Sequence, residues 1–191
     1  KFGELNEKTQ RMLELANRNS DHLGRLINDI LDMEKIASGA MEFNIVNVDS
    51  DKAIDSALNT NEGYALRYNV NLQIIKRATG VNIHADEMRL HQVIANLISN
   101  AIKYSPAQAV VELSAVQINN MVRFSVRDYG TGIPENFRSH IFNRFSQANN
   151  AKAGTGLGLN IARSIVEYLG GQIDFVTSEQ GTEFYFDLPC V

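Results

Sequence analysis

Apolar or small residues recur at Met12, Ala16, Leu23, Leu26, Ile30, Met33 and Ala37. With Asn19 filling the gap, the spacing alternates four and three, which is a heptad seam. Leu13, Ile27 and Leu31 widen the stripe, which suits a helix in a bundle better than one in a two-stranded coil. The pattern predicts one helix over 8–38, about 45 Å long at ~1.5 Å per residue. Ordinary core helices average nearer ~12 residues. This one is expected to find its partner in another chain, in sequence upstream, or in the rest of this chain. Gly39 is a plausible stop.

Beyond Gly39 the periods shorten. "MEFNIVNVD" alternates as a strand, and Asp49 or Ser50 is placed to cap a helix over about 50–67. "VNLQIIK" and "VNIHA" read as strands around a turn near Gly80. Asp86 to Ser105 reads as a helix that opens on an acidic residue and ends before Pro106. "AVVELSAVQI" and "MVRFSVRDY" predict a hairpin around Asn119-Asn120. A short helix over about 134–145 follows Pro134. "SQANNAKAGTG" is small, polar and aperiodic, hence a loop. Residues 157–169 read as a helix ended by Gly170-Gly171, and "QIDFVTS" and "TEFYFDLP" as a last hairpin around "EQG". Antiparallel strand pairs with helices between them predict a two-layer α/β sandwich with one sheet.

Composition narrows the function. The chain has 191 residues, 44% hydrophobic and 21% charged, with net charge -4. This is the make-up of a globular chain with a full core, and it argues against a protein that coats nucleic acid. No apolar run approaches the ~18–20 residues of a membrane span. Cys190 is the single cysteine, which excludes a disulfide framework or a cysteine-rich zinc site within the chain. The sequence opens at Lys1 without an initiator Met or a signal-type stretch. It is expected to be a piece of something longer.

Three segments carry candidate chemistry. In "NLISNAIKYSP" (96–106), Asn96 and Asn100 share one helix face with Lys103 close by. Amide oxygens are hard donors that suit Mg²⁺, and a lysine suits phosphate. In "DYGTGIP" (128–134) a strand ends in Asp128, followed by Gly130 and Gly132. Glycines let backbone approach a flat ligand closely. The carboxylate would accept from the exocyclic amine of adenine and repel the oxygen that guanine shows there. In "GTGLGL" (154–159) a loop becomes a helix, whose free N–H groups suit phosphate. It has neither the Lys-Ser/Thr of a Walker A loop nor the context of a Rossmann fingerprint.

Taken together and in this order, the segments resemble the ATP-binding catalytic domain of sensor histidine kinases, in the superfamily shared with gyrase, Hsp90 and MutL. "NLISNAIKYSP" resembles the N box, "DYGTGIP" the G1 box, "IFNRFSQ" (141–147) the F box, "GTGLGL" the G2 box and "GTEFYFDLP" the final strand pair. The resemblance covers roughly 45–190 and implies a Bergerat-type α/β sandwich, with ATP under a lid at about 146–155. It implies a catalytic set of Asn96, Asn100, Lys103 and Arg144. In it Asn100 binds Mg²⁺ through ATP, Lys103 contacts phosphate and Arg144 reaches the γ-phosphate. Asn96 stands where the superfamily's ATPases keep a water-activating Glu. An amide cannot serve as that base, which favours phosphoryl transfer over hydrolysis. Tyr104 is an adenosine-side contact. Asp128, Gly130, Gly132 and Ile133 form the adenine side, with the Thr182 hydroxyl behind the base. Gly154, Thr155, Gly156, Leu157 and Gly158 form the phosphate-side loop.

"RNSDHLGRLINDILDMEKIASGAMEF" resembles the second helix of a dimerisation and histidine-phosphotransfer hairpin. The implied division is 1–40 for that partial hairpin and 41–191 for the catalytic domain. The family's H box, approximately H-E-x-R-T-P, is absent from the sequence. The acceptor histidine is therefore expected upstream of Lys1, and the fragment is expected to be unable to phosphorylate itself. The resemblance further implies ATP and Mg²⁺ as cofactors and a response-regulator receiver domain as partner. It implies a homodimer through the helix bundle of the full-length protein, no nucleic acid, and a cytoplasmic place in a membrane-associated sensor.

His22 lies in "SDHLGRL", which does not resemble the H box, and His84, His91 and His140 read as surface or packing residues. Two alternatives stand beside the kinase. One is a kinase-like binding and dimerisation module with little nucleotide affinity. The other is an ATPase or serine kinase of the same superfamily, which fits the pocket but not the long seam helix.

Overall fold

The computed structural model describes residues 6–147 and 155–191. The chain divides into two compact units, Lys1–Met41 and Glu42–Val191.

The first unit is one helix, α1 (Glu7–Ala37). It starts because Asn6 caps it, Oδ1 accepting from the Thr9 N–H and hydroxyl at 2.9 Å each. It ends where Gly39 takes φ +67° and the Ala40 and Met41 N–H groups turn back to the Lys35 carbonyl. Met12, Leu13, Leu23, Ile27 and Leu31 each keep more than half of their surface exposed. Among the described residues no helix is long and apolar enough to cross a membrane.

In the second unit the elements run β1 (Val46–Asp49), α2 (Ser50–Arg67), β2 (Asn71–Lys76), β3 (Asn82–Ala85), α3 (Glu87–Tyr104), β4 (Val110–Ile118) and β5 (Met121–Arg127). There follow α4 (Glu135–Arg138), α5 (Gly158–Tyr168), β6 (Gln172–Ser178) and β7 (Gly181–Pro189). Five strands form a sheet of order β2-β4-β5-β7-β6, and α2, α3 and α5 pack against it. The alternation of each strand puts Leu113, Val122, Phe124, Phe184 and Phe186 on the helix side, where all are buried. On the other face Arg123 pairs with both oxygens of Asp187, at 2.8 and 2.7 Å, and lies over the Tyr185 ring. This is the two-layer α/β sandwich expected from the sequence.

Three details differ from the sequence reading. The sheet is not single, because β1 and β3 form a separate antiparallel pair. β2 instead runs parallel to β4 at the edge of the main sheet. Hydrophobic alternation marks a strand but does not name its neighbour. Strand pairing in the first segment is confined to Val46–Asp49. Phe43 is drawn aside to stack on Tyr168 with ring centroids 3.7 Å apart, and the Asn44 N–H is bound to Asp86 Oδ2 at 2.8 Å. The helix after Pro134 lasts only through Arg138. Its continuation is a series of turns, with His140 N–H on the Phe137 carbonyl and Asn143 N–H on that of His140. These three-residue steps end at Phe145, which has φ +59°, a conformation no helix accommodates.

Candidate functional site

Helix α3 is the backbone of the site. Leu90, Val93, Ile94, Leu97, Ile98, Ala101 and Ile102 form its buried face, so the 3.6-residue period leaves Asn96, Asn100 and Lys103 on its flank. All three are half-buried. Asp86 starts the helix by accepting from the Arg89 N–H at 3.0 Å.

The turn after β5 meets the end of this helix. Gly130 lies so close that a Cβ would collide with the Tyr104 carbonyl oxygen. Gly132 has φ +71°, and a Cβ there would collide with the Ser178 carbonyl at the end of β6. Both positions are glycine because backbone meets backbone. Asp128 is 4% exposed. Its Oδ1 accepts from the Gly130 N–H at 2.8 Å and the Thr182 N–H at 3.3 Å, while its own N–H donates to the Thr182 carbonyl at 2.8 Å. Thr182 is equally buried. Burial also pushes the Tyr104 phenol above its ordinary pKa.

The other flank of α3 meets the start of α5. Asn96 Nδ2 donates to the Gly158 carbonyl at 3.1 Å, and Gly158 leaves just enough room for this amide. No side-chain oxygen caps α5 among the described residues, and Thr155 Oγ1 accepts from the Leu157 N–H at 3.2 Å. Leu157 is fully buried and anchors the helix start. Gly156, at φ +70°, packs directly on the Phe145 backbone, so the segments 141–147 and 155–158 are neighbours.

The residues picked out from the sequence therefore gather in two groups on one helix. Tyr104, Asp128, Gly130, Gly132, Ile133 and Thr182 surround its C-terminal end. Asn96, Thr155, Gly156, Leu157 and Gly158 surround its middle. Asn100 lies one turn on from Asn96, and its side chain has no hydrogen bond among the described residues. A half-buried amide oxygen without a partner among the described residues is a donor of the kind Mg²⁺ accepts. Arg144 is exposed in the turns after α4 and makes no hydrogen bond or ion pair among the described residues. Gly154 and most of the expected lid at 146–155 lie outside the described residues. No group of three or more His, Cys, Asp and Glu side chains gathers as metal donors among the described residues.

Two residues escaped the sequence reading. Thr177 Oγ1 accepts from the Ile133 N–H at 2.9 Å and lies 3.0 Å from Thr182 Oγ1. Asn160 Nδ2 donates to the Phe142 carbonyl at 2.9 Å, holding α5 to the 141–147 segment. The hairpin register pairs Thr177 with Thr182. Counting outward from the "EQ" turn would have found the first. Nothing in the sequence pairs Asn160 with Phe142.

The profile of the histidine kinase-, DNA gyrase B- and HSP90-like ATPases matches residues 85–191. The chain is similar to the circadian input-output histidine kinase CikA of Synechococcus elongatus. The two are 32% identical over 195 residues, covering 98% of this chain and 26% of CikA. It thus spans about a quarter of that relative's length. Among solved structures it is similar to full-length ShkA in complex with AMPPNP, with TM-score 0.83, 29% identity, and coverage of 99% of this chain and 40% of ShkA. It is also similar to the catalytic domain of the histidine kinase ThkA, with TM-score 0.69, 30% identity, and coverage of 78% of this chain and 96% of that domain.

Proposed function

From the premise that the chain belongs to the histidine kinase-, DNA gyrase B- and HSP90-like ATPase family, we propose that it is the ATP-binding catalytic part of a sensor histidine kinase. The observation that carries this reading is the meeting of the Asp128–Gly130 turn with the Tyr104 end of α3, while Asn96 of the same helix holds the start of α5. One helix then has a base-recognising carboxylate at its end and a phosphate-suited helix N-terminus at its middle.

In this reading Asp128 accepts from the exocyclic amine of adenine, with Gly130, Gly132 and Ile133 lining the base and Tyr104 beside the adenosine. The N–H groups of Gly156 and Gly158 and the Lys103 ammonium take the phosphates. Asn100 would hold Mg²⁺, which when bound neutralises triphosphate charge. Arg144 supplies a further positive charge toward the γ-phosphate. With Asn96 bound to the Gly158 carbonyl, no carboxylate stands at that position to activate water, which favours a protein acceptor over hydrolysis.

The acceptor is a neutral imidazole nitrogen, already nucleophilic. Its attack forms an N–P bond as the bond from γ-phosphorus to the β,γ-bridging oxygen breaks and ADP leaves. Positioning and charge neutralisation are what the domain supplies. No stretch of the sequence matches the H box, so we assign the acceptor to a helix outside this chain. The exposed seam of α1 supports that helix as its bundle partner, within a homodimer of the whole protein. An aspartate of a response-regulator receiver domain would take the phosphoryl next. A cytoplasmic position, where ATP and such a receiver meet, suits this chemistry and a membrane-associated sensor.

The test is direct. Mg·ATP should raise the melting temperature of the chain, as a ligand of the folded state must. With γ-labelled ATP, the chain alone should take up no acid-labile, base-stable label. Acid-labile, base-stable label on the chain would put the acceptor among its own four histidines. No thermal shift at millimolar Mg·ATP would contradict the nucleotide site.

A further inference from the structure

We propose, building on the adenine-nucleotide reading, that Thr177 is a positioning residue that directs the proton of the Thr182 hydroxyl and thereby sets the choice of adenine over guanine. Thr177 on β6 stands opposite Thr182 on β7. Its Oγ1 accepts from the Ile133 N–H at 2.9 Å, lies 3.0 Å from Thr182 Oγ1, and lies 3.4 Å from the Gly181 carbonyl. A hydroxyl has one proton and two lone pairs, so these contacts allow two arrangements.

In the first, Thr177 gives its proton to Thr182 Oγ1, and the Thr182 proton turns outward as a donor. In the second, Thr177 gives its proton to Gly181 and accepts that of Thr182, which then shows the site lone pairs only. An O–H···O bond spans about 2.5–3.0 Å. The 3.0 Å contact meets that range and the 3.4 Å contact does not. The Ile133 N–H also pulls electron density from the Thr177 oxygen, which strengthens its O–H as a donor. The geometry selects the first arrangement.

That choice matters because of what lies beside Thr182. Asp128 Oδ1 is 3.3 Å from the Thr182 nitrogen. With Thr182 as a donor, the wall presents an acceptor next to a donor. Adenine shows a donor at its exocyclic amine and an acceptor at ring N1, which is the complement. Guanine shows an acceptor at O6 and a donor at N1, which reverses both. In the second arrangement Thr182 would face the lone pair of adenine N1 with lone pairs of its own. Thr177 thus acts through Thr182, while the Ile133 N–H ties the same hydroxyl to the 128–134 turn.

The experiment measures dissociation constants of ADP, GDP and 1-deaza-ADP, in which C–H replaces N1, for the full 191-residue chain and its Thr177→Val and Thr177→Ser variants. The unsubstituted chain should bind ADP about tenfold more tightly than 1-deaza-ADP, the worth of one hydrogen bond. Thr177→Val, which leaves the Thr182 proton undirected, should lose part of that factor for ADP, change little for 1-deaza-ADP, and narrow the ADP-to-GDP ratio. Thr177→Ser should restore all three values. Equal weakening of ADP and 1-deaza-ADP by Thr177→Val, or no recovery with serine, would reduce Thr177 to a packing residue and overturn the proposal. If the valine variant does not fold, the unsubstituted chain still decides, since equal affinity for ADP and 1-deaza-ADP overturns it. A chain that binds none of the three removes the nucleotide reading itself, whereas one that binds ADP and 1-deaza-ADP alike removes only the role of Thr177.

Discussion

On the proposed purine side of the site, Asp128, Thr177, Thr182, Gly130 and Ile133 hold one another through hydroxyl, carboxylate and backbone hydrogen bonds between strand ends. On the proposed phosphate side, the Asn100 side chain has no hydrogen bond among the described residues and Arg144 is exposed. The first arrangement stands ready before any ligand arrives, so binding a base there costs little ordering. The second leaves side-chain freedom that would be surrendered when phosphate and metal come. In the proposed reading, specificity is built into the sheet, and the groups that would meet the phosphates sit on a helix flank and in turns.

The most severe way to break this contrast is Gly132→Ala. With φ at +71° and the Ser178 carbonyl in the place of a Cβ, the rigid turn should cost about 2–4 kcal/mol of unfolding free energy. Urea melts check this, and an unchanged midpoint would mean the purine wall yields easily. Next comes Asp128→Asn. The amide oxygen can still accept from Gly130 and Thr182, so the fold should hold while ATP affinity falls by about 1.5–3 kcal/mol in calorimetry. Unchanged affinity would dismiss the adenine assignment.

A smaller effect is expected across the site. Asn100→Ala should weaken ATP binding by about 1 kcal/mol in Mg²⁺ and by nothing measurable in EDTA. An equal loss in both conditions would show Asn100 to be a packing residue. The smallest effect concerns Tyr104, whose burial holds its phenol above the ordinary value near about 10. A raised folded pKa contributes stability that is whole below that value and is lost as pH rises through it toward the folded one. Thermal melts across that alkaline window should fall for the unsubstituted chain and fall less for Tyr104→Phe. Parallel curves would contradict the burial argument.

Much of this was legible in the sequence because the signals were local. Asp49 and Asp86 cap the helices they precede, Asn119-Asn120 turns the hairpin, and the glycines of "DYGTGIP" mark where backbone meets backbone. Pairing between distant segments was not local. Nothing in "VNLQIIK" says that it lies parallel to β4, and nothing in "MEFNIV" says that Phe43 stacks on Tyr168. The Asn96 bond to Gly158 spans 62 residues. It was visible only as two motifs that resemble one family, and no spacing rule joins them. The turns after Arg138 escaped because Pro134 marks a helix start while nothing local marks its early stop, which goes with the packing of Gly156 on Phe145.

In the proposed function an adenine nucleotide sits against Asp128 and reaches along α3. Amide-resolved NMR of the labelled chain during a Mg·ADP titration tests it most directly. Saturable shifts are expected at the Gly130 and Thr182 N–H groups bound to Asp128, at Gly158, and at the Asn100 side-chain amide, with the edge strand β2 across the sheet from β6 unmoved. Shifts confined to that opposite edge, or none at Gly130 and Thr182 at saturation, would contradict it.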